Sequence, residues 1–184
     1  MRLFHDLQSP ELIAVLKHGG IGILRTDTLY GVVARADDET AVNRVYELKE
    51  RDYKKSPIVL IASRDQLWDT PPQAAEALLL EAWPGPVSVT LPSSRAPFWI
   101  RRDNASVAYR LPAHRQLQRL IRDTGSLIAP SAYPEGQPPA MTTAIARDYF
   151  GDAVDFYVDG GTVENPTPSR LIKMSDDGHT EFLR

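Results

Sequence analysis

The 184-residue sequence contains no cysteine, which excludes a disulfide framework, a thiolate zinc site and a cysteine nucleophile. It also lacks a run of about 18 apolar residues, the length needed to cross a bilayer, since its longest apolar stretches are the size of one strand. The first ten residues do not show the basic and then apolar pattern of a secretory signal. We therefore expect a cytoplasmic protein without membrane contact.

A large charge of one sign and the common catalytic motifs are absent as well. The formal net charge is −3, which argues against a protein that mainly coats nucleic acid, although a local basic patch is compatible with it. No P-loop, GxGxxG, HExxH or GxSxG pattern is present, and the four histidines are scattered. The common nucleotide-binding folds, a zinc enzyme and a serine hydrolase therefore have no support.

Proline is abundant instead, with 15 residues, and together with glycine it separates the periodic segments. Apolar residues at helical spacing predict helices that start near positions 10, 39, 71, 113 and 142. Short apolar runs predict strands at 20–24, 57–62, 87–91, 106–111, 126–129, 154–158, 169–174 and 180–183. Helices and strands alternate at first, strands cluster late, and no repeat or long linker divides the chain. These features predict one α/β domain with a mixed sheet.

Polar side chains follow predicted strands, at the positions where α/β sheets commonly bind ligands. Thr26, Thr28 and Tyr30 come directly after the first predicted strand, and they are equally consistent with an ordinary capped turn. Arg110 interrupts an apolar strand. It is either an outward-facing edge residue or a cation held for a carboxylate.

Four cations occur within seven residues, between the end of a predicted helix and a buried strand: Lys49, Arg51, Lys54 and Lys55. One interpretation is a solvated charge run, stabilised by the negative C-terminal end of the helix. The other is an anion site, in which arginine offers a planar fork to phosphate oxygens and lysine a mobile point charge. Composition alone slightly favours the charge run.

Five short segments occur in order: RTDTLYG at 25–31, KER at 49–51, WPGPVS at 83–88, VAYRLP at 107–112 and SAY at 131–133. They resemble the motifs PT(E/D)TxYG, KxR, WPGPxT, VAVRxP and SAN of the threonylcarbamoyl-AMP synthase family, the YrdC/Sua5 type. Near the end, Gly160-Gly161 and Pro168-Ser169 are similar to further family elements. One such segment is a weak signal, whereas five in order over residues 20–184 are specific.

The resemblance implies a single YrdC-like catalytic domain over residues 1–184, without the C-terminal extension of longer Sua5 members. Its expected fold is a twisted mixed α/β sheet with flanking helices and an open electropositive cleft. The implied enzyme is an L-threonylcarbamoyladenylate synthase, a nucleotidyltransferase that forms threonylcarbamoyl-AMP and pyrophosphate from L-threonine, bicarbonate and ATP. The product serves t6A modification at adenosine 37 of tRNA, with t6A transfer proteins as partners and tRNA as a further candidate partner.

The same resemblance assigns residues to the substrates. The catalytic residues that it implies, which also bind ATP, are Lys49 and Arg51. The other ATP contacts that it implies are Lys55, Ser106, Ser131 and Arg184. The threonine contacts that it implies are Thr28, Tyr30, Arg110 and Ser169, with Arg110 on the carboxylate. Mg²⁺ is expected on the phosphates, and no cluster of Asp and Glu identifies a protein ligand for it.

Two residues depart from the family motifs at the expected site. Arg25 stands in place of a proline, and Tyr133 stands in place of an asparagine, whose amide offers both a donor and an acceptor. The alternative function is therefore a non-catalytic ATP- or RNA-binding relative in which Tyr133 has disabled the reactive pocket. Carbamoyl-adenylate chemistry, as in hydrogenase maturation, is less favoured because that relative is one module of a much larger chain.

Overall fold

One ten-stranded sheet runs through the computed structural model, which describes residues 1–175 and 177–184. In chain order the strands are β1 (Arg2–Phe4), β2 (Gly22–Arg25), β3 (Tyr30–Arg35), β4 (Ile58–Leu60), β5 (Val87–Pro92), β6 (Ser106–Arg110), β7 (Leu127–Ile128), β8 (Phe156–Val158), β9 (Arg170–Met174) and β10 (Thr180–Phe182). Across the sheet they follow the order β1-β8-β2-β3-β7-β4-β6-β5-β9-β10. Four neighbouring pairs are parallel (β1–β8, β2–β8, β4–β6 and β5–β9) and the other five are antiparallel, which confirms the predicted mixed sheet.

Six α-helices and two short 3₁₀ turns lie within the described ranges: α1 (Pro10–Lys17), α2 (Glu39–Leu48), α3 (Glu76–Ala82), α4 (Phe98–Arg101), α5 (Arg115–Thr124) and α6 (Thr143–Phe150), with the turns at Arg64–Gln66 and Gln73–Ala75. The side chains that cap the first turns of α1, α2, α5 and α6 belong to Ser9, Asp38, His114 and Thr142. Each accepts a hydrogen bond from a backbone N–H three residues later, which supplies a partner that the helix itself cannot. None of the helices in these ranges is long and apolar enough to span a bilayer.

The sheet is covered on both faces because successive strand residues point to opposite sides. On β3, Val32 belongs to one core cluster and Val33 to the other, and neither is exposed. The first cluster includes apolar residues of α2, α3 and α6, and the second those of α1 and α5. This arrangement explains why most strands are continuous apolar runs rather than alternating ones.

Three elements were not predicted from the sequence. Strand β3 starts at Tyr30, inside the segment interpreted as a polar turn, and pairs antiparallel with β2 as a hairpin. Strand β1 has three residues at the edge of the sheet, and α4 is a single turn. The helix predicted from position 71 begins instead as a 3₁₀ turn and becomes α-helical at Glu76.

The ends of five segments converge at the middle of the sheet. The β2–β3 turn lies there, and the Thr26 hydroxyl fixes its shape by donating to the Leu29 carbonyl at 2.7 Å and accepting from the Thr28 amide at 3.2 Å. The chain after β7 continues beside β3, where the Val32 amide donates to the Pro130 carbonyl. The end of β6, the end of α2 and the start of β9 complete this region, and they carry most of the residues singled out above.

Candidate functional site

Two neighbouring cavities lie where these segments meet, and they share Ser131 and Arg184. We call the first, of about 30 Å³, the small pocket. Its lining includes Thr26, Thr28, Leu29, Tyr30, Ile58, Arg110 and Ser169. We call the second, of about 230 Å³, the basic cavity. Its lining includes Lys49, Arg51, Asp52, Lys55, Tyr133 and Glu135.

Arg110 is the buried cation of the small pocket, with 4% of its surface exposed. Its guanidinium lies 3.2 Å from the Asp27 carboxylate and donates to the Thr26 hydroxyl at 3.3 Å, while its Nε–H has no partner in the described structure. Burial lowers the pKa of Arg110, the Asp27 carboxylate opposes this shift, and the nearby Arg184 adds to it. Asp27 is in turn fixed by the Ala113 amide. The sequence did not predict this pair, although Asp27 lies inside the first motif.

The hydroxyl groups of Ser169 and Thr28 line the same small pocket as the guanidinium. Ser169 is buried and its Oγ lies 3.0 Å from that of Ser88, while its carbonyl accepts from Arg184 Nε at 3.3 Å. Thr28 is half-buried at the β2–β3 turn, and its hydroxyl lies 3.1 Å from that of Thr26. A buried arginine beside several hydroxyls suits a small ligand that carries both a carboxylate and a hydroxyl group.

Tyr30 lines the small pocket, but its hydroxyl already donates a hydrogen bond within the protein. Its hydroxyl donates to the Gly161 carbonyl at 2.7 Å, and it accepts from the Gly160 amide at 3.0 Å and from the Thr143 hydroxyl at 3.1 Å. The hydroxyl therefore already has its partners. Tyr30 fixes the glycine pair beside the pocket and offers its ring to a ligand.

Lys49 caps the C-terminal end of α2 and reaches across to the loop after β7. Its Nζ donates to the carbonyl of Ser131 at 2.8 Å and to the carbonyl of Tyr133, and it lies 5.4 Å from the centre of the Tyr133 ring. Burial lowers the pKa of Lys49 to about 8, Arg51 contributes to the shift, and Glu135 opposes it. Burial therefore disfavours the charged form of the lysine, and a bound anion would favour it.

In the rest of the basic segment, the Arg51 side chain binds backbone carbonyls, and both lysines are exposed. Arg51 donates to the carbonyls of Ser56 at 3.0 Å and Lys55 at 3.4 Å. Lys55 is exposed, and Lys54, also exposed, lies outside the cavity. Among the described residues, no carboxylate lies within 4.0 Å of the four cations of the basic cavity, Lys49, Arg51, Lys55 and Arg184. This geometry favours an anion site over a solvated charge run.

Nine of the ten residues assigned by the resemblance line one of the two cavities, or both. The tenth, Ser106, begins β6 at the end opposite Arg110 and lines neither cavity. Tyr133 lines the basic cavity, and Arg25 instead donates to the Gly160 carbonyl at 2.9 Å. Within the described ranges, no group of three or more His, Asp or Glu side chains is placed to hold a metal ion.

The structure is an α/β protein with a mixed sheet, in which a pocket around a buried arginine lies beside a cavity lined by four cations. The family model described as telomere recombination, for Sua5, YciO and YrdC proteins, matches residues 14–184. The chain therefore belongs to the Sua5/YciO/YrdC family.

Two curated relatives are named threonylcarbamoyl-AMP synthase. The chain is 35% identical to a threonylcarbamoyl-AMP synthase of Marinobacter nauticus, over 85% of each chain. It is 34% identical to one of Coxiella burnetii, over 87% of this chain and 90% of that one.

Solved structures agree with this assignment. Sua5 of P. abyssi complexed with L-threonine superposes with a TM-score of 0.87 at 30% identity, over 100% of this chain and 56% of that one. The chain thus spans just over half the length of that Sua5. YciO of E. coli gives a TM-score of 0.86 at 18% identity, which supports the fold alone.

Proposed function

We propose that this transferase is a threonylcarbamoyl-AMP synthase, which converts L-threonine, bicarbonate and ATP to threonylcarbamoyl-AMP and pyrophosphate. The observation that carries the proposal is the junction of the two cavities at Ser131 and Arg184. There, a pocket for a carboxylate and a hydroxyl opens beside a cavity whose four cations have no carboxylate of the described residues within 4.0 Å. The names of the relatives and the L-threonine complex of the P. abyssi Sua5 support the same function.

Threonine fits the small pocket by charge and by hydrogen bonding. The guanidinium of Arg110 would take the α-carboxylate, since its Nε–H has no partner among the described residues and another of its nitrogens lies beside Asp27. The hydroxyls of Thr28 and Ser169 would bind the substrate's own polar groups. The ring of Tyr30 would exclude water from one side. This orientation would direct the substrate amine toward Ser131 and the basic cavity.

The basic cavity would hold bicarbonate and the triphosphate of ATP. The threonine amine attacks the bicarbonate carbon to give a carbamate and water, and a carbamate oxygen then attacks the α-phosphorus, with pyrophosphate as the leaving group. Lys49, Arg51, Lys55 and Arg184 would neutralise charge on these oxygens, which is the main requirement of phosphoryl and nucleotidyl transfer. Mg²⁺ would be bound through the phosphates. No protein nucleophile is needed, which accords with the lack of cysteine.

The Tyr133 substitution does not favour the non-catalytic alternative. Lys49 donates to backbone carbonyls of Ser131 and Tyr133, and these two contacts do not require an asparagine side chain at position 133. The basic cavity also keeps about 230 Å³ beside the tyrosine ring. Ser106 stays a predicted nucleotide contact, outside both cavities. The product would feed t6A modification of tRNA, with t6A transfer proteins as partners.

The test is the release of pyrophosphate from ATP. We expect release only when L-threonine and bicarbonate are both present. Lys49→Ala and Arg51→Ala should each reduce kcat/KM by about 100-fold, because each removes a charge placed on the transferring phosphates. Lys54→Ala is the matched control, since it removes a neighbouring exposed cation outside the cavity. ATP turnover that is indifferent to threonine, or equal losses in all three variants, would contradict the proposal.

A further inference from the structure

Arg102 is a buried cation with almost no polar partner. Only 6% of its surface is exposed. Among the described residues its Nε–H has no hydrogen-bond partner, and the guanidinium makes one hydrogen bond, a 3.5 Å contact to the side-chain oxygen of Asn43. No carboxylate in the described part of the chain lies within 4.0 Å of it. Its φ of 56° lies in the left-handed region, which a non-glycine residue adopts only at an energetic cost. Both the burial of its charge and its backbone conformation are therefore energetically unfavourable.

Aromatic rings, rather than anions, surround this guanidinium. It lies 4.3 Å from the ring centre of Tyr46 and 5.1 Å from that of Tyr53, and the two rings stack on each other at 5.3 Å. Cation–π contacts stabilise a desolvated arginine, but they leave its positive charge in place. Within the described part of the chain, the interior therefore holds this charge without a carboxylate partner.

This charge lies directly behind the basic cavity. Arg51, which lines the cavity, is 5.6 Å from the same Tyr46 ring centre, so the two guanidinium carbons are at most about 10 Å apart. The Tyr46 hydroxyl donates to the Lys55 carbonyl at 2.7 Å. Asn104, two residues after Arg102, donates to the Lys54 carbonyl at 3.1 Å. The turn that carries Arg102 is therefore attached to the segment that carries the cavity's cations.

We propose that Arg102 is a positioning residue of the ATP site, a second layer of positive charge that acts through Tyr46 on the Lys49–Lys55 segment and is balanced only when phosphates bind. This inference rests on the proposed function, because it takes the basic cavity as the site of the triphosphate. Arg102 touches no reacting atom. Its contribution is to raise the affinity of the segment for a polyanion and to hold Tyr46 against Lys55.

The experiment measures binding of pyrophosphate, and separately of L-threonine, by titration calorimetry. Arg102→Met removes the charge and keeps most of the side-chain length. Arg102→Gly removes the charge and relieves the left-handed backbone, so the pair separates loss of charge from a folding defect. We expect pyrophosphate affinity to fall about ten-fold in both variants. This is the order of the change in affinity produced by the Coulomb interaction of two unit charges about 10 Å apart at an effective dielectric near 20. Threonine affinity should stay within two-fold. Arg102→Lys keeps the charge and should recover affinity to within about three-fold.

Arg101→Met is the matched control, because it removes the same charge from the adjacent residue, whose side chain lines a different cavity with Asp69 and Ser93. It should bind pyrophosphate within two-fold of the wild type. The inference is overturned if Arg102→Met matches Arg101→Met, or if it loses both ligands equally without rescue by Arg102→Lys. A wild-type protein that binds no pyrophosphate would instead refute the proposed ATP site itself, and the two failures are thus distinguishable.

Discussion

Lys49 predicts a specific pH dependence of nucleotide binding. In the free protein its pKa is lowered to about 8, mainly by burial and further by Arg51. Phosphates in the basic cavity would favour the charged form and return the pKa toward its ordinary value of 10.5. Binding should therefore take up a proton wherever Lys49 is neutral in the free protein and charged in the complex.

The magnitude follows from the protonated fraction of the free lysine. With a pKa of about 8, about 90% of Lys49 is charged at pH 7 and about 10% at pH 9. Affinity for pyrophosphate should thus fall about five- to ten-fold from pH 7 to pH 9, with partial solvent exposure reducing the effect toward the lower figure. Proton uptake should rise over the same interval from about 0.1 to about 0.9 per bound ligand.

The assay is titration calorimetry in paired buffers of different ionisation enthalpy, which counts the protons taken up. Lys49→Arg is the control, because a guanidinium stays charged throughout this range and should abolish both the uptake and the loss of affinity. The free energy of unfolding should change with pH in the opposite direction to the affinity. A lysine with a lowered pKa opposes folding while it is charged, so the stability of the unliganded protein should rise from about pH 8 to 10.5. Equal proton uptake by wild type and Lys49→Arg would refute the reasoning.

Three further substitutions test the small pocket and its surroundings. Arg110→Lys should raise KM for threonine at least ten-fold in a threonine titration while leaving pyrophosphate affinity unchanged, because a charge-assisted hydrogen bond contributes about 1.5–3 kcal/mol; an equal loss for both ligands would contradict this. Tyr133→Asn should change kcat/KM by less than about three-fold, since Lys49 depends on backbone carbonyls there, whereas a gain of 100-fold would mean that the tyrosine blocks catalysis. Gly160→Ala should lower the free energy of unfolding by about 1–3 kcal/mol in urea, because its Cβ would lie 2.5 Å from that of Arg25. Arg25→Gly should restore the loss, and no loss at all would show that the segment moves freely.

Local chemistry made most of the helices predictable from the sequence. Ser9 and Thr142 are of the residue types that commonly cap helices and lie at the predicted helix starts, and each accepts a backbone N–H of the first turn. Strand β1 offered no such signal: it has three residues, two of them exposed, and its partner β8 lies over 150 residues away in the chain. Strand β3 was missed for another reason, since its first residue, Tyr30, ends a polar motif that resembles a turn.

The candidate site was predictable only through the order of its motifs. Spacing alone left Arg110 undecided between an edge residue and a ligand-binding cation. The structure places it in a buried pocket next to Thr26, 84 residues away in the chain, and no local pattern encodes that contact. Arg102 gave no signal at all, because a single arginine in the turn after α4 is unremarkable until its burial beneath two rings is known.

The net charge of the chain does not reveal the charge of the site, because acidic and basic side chains are distributed unevenly over the structure. Away from the cavities, cations meet carboxylates in pairs such as Arg44–Asp155, at 3.0 Å, and Arg64–Glu76. In the basic cavity and behind it at Arg102, the cations face carbonyls and aromatic rings instead, with no carboxylate within 4.0 Å in the described ranges. A net charge of −3 is therefore compatible with a concentrated positive region. An unpaired cation withdrawn from water is costly, and under the proposed function a triphosphate would supply the counter-charge for the half-buried Lys49 and the buried Arg102.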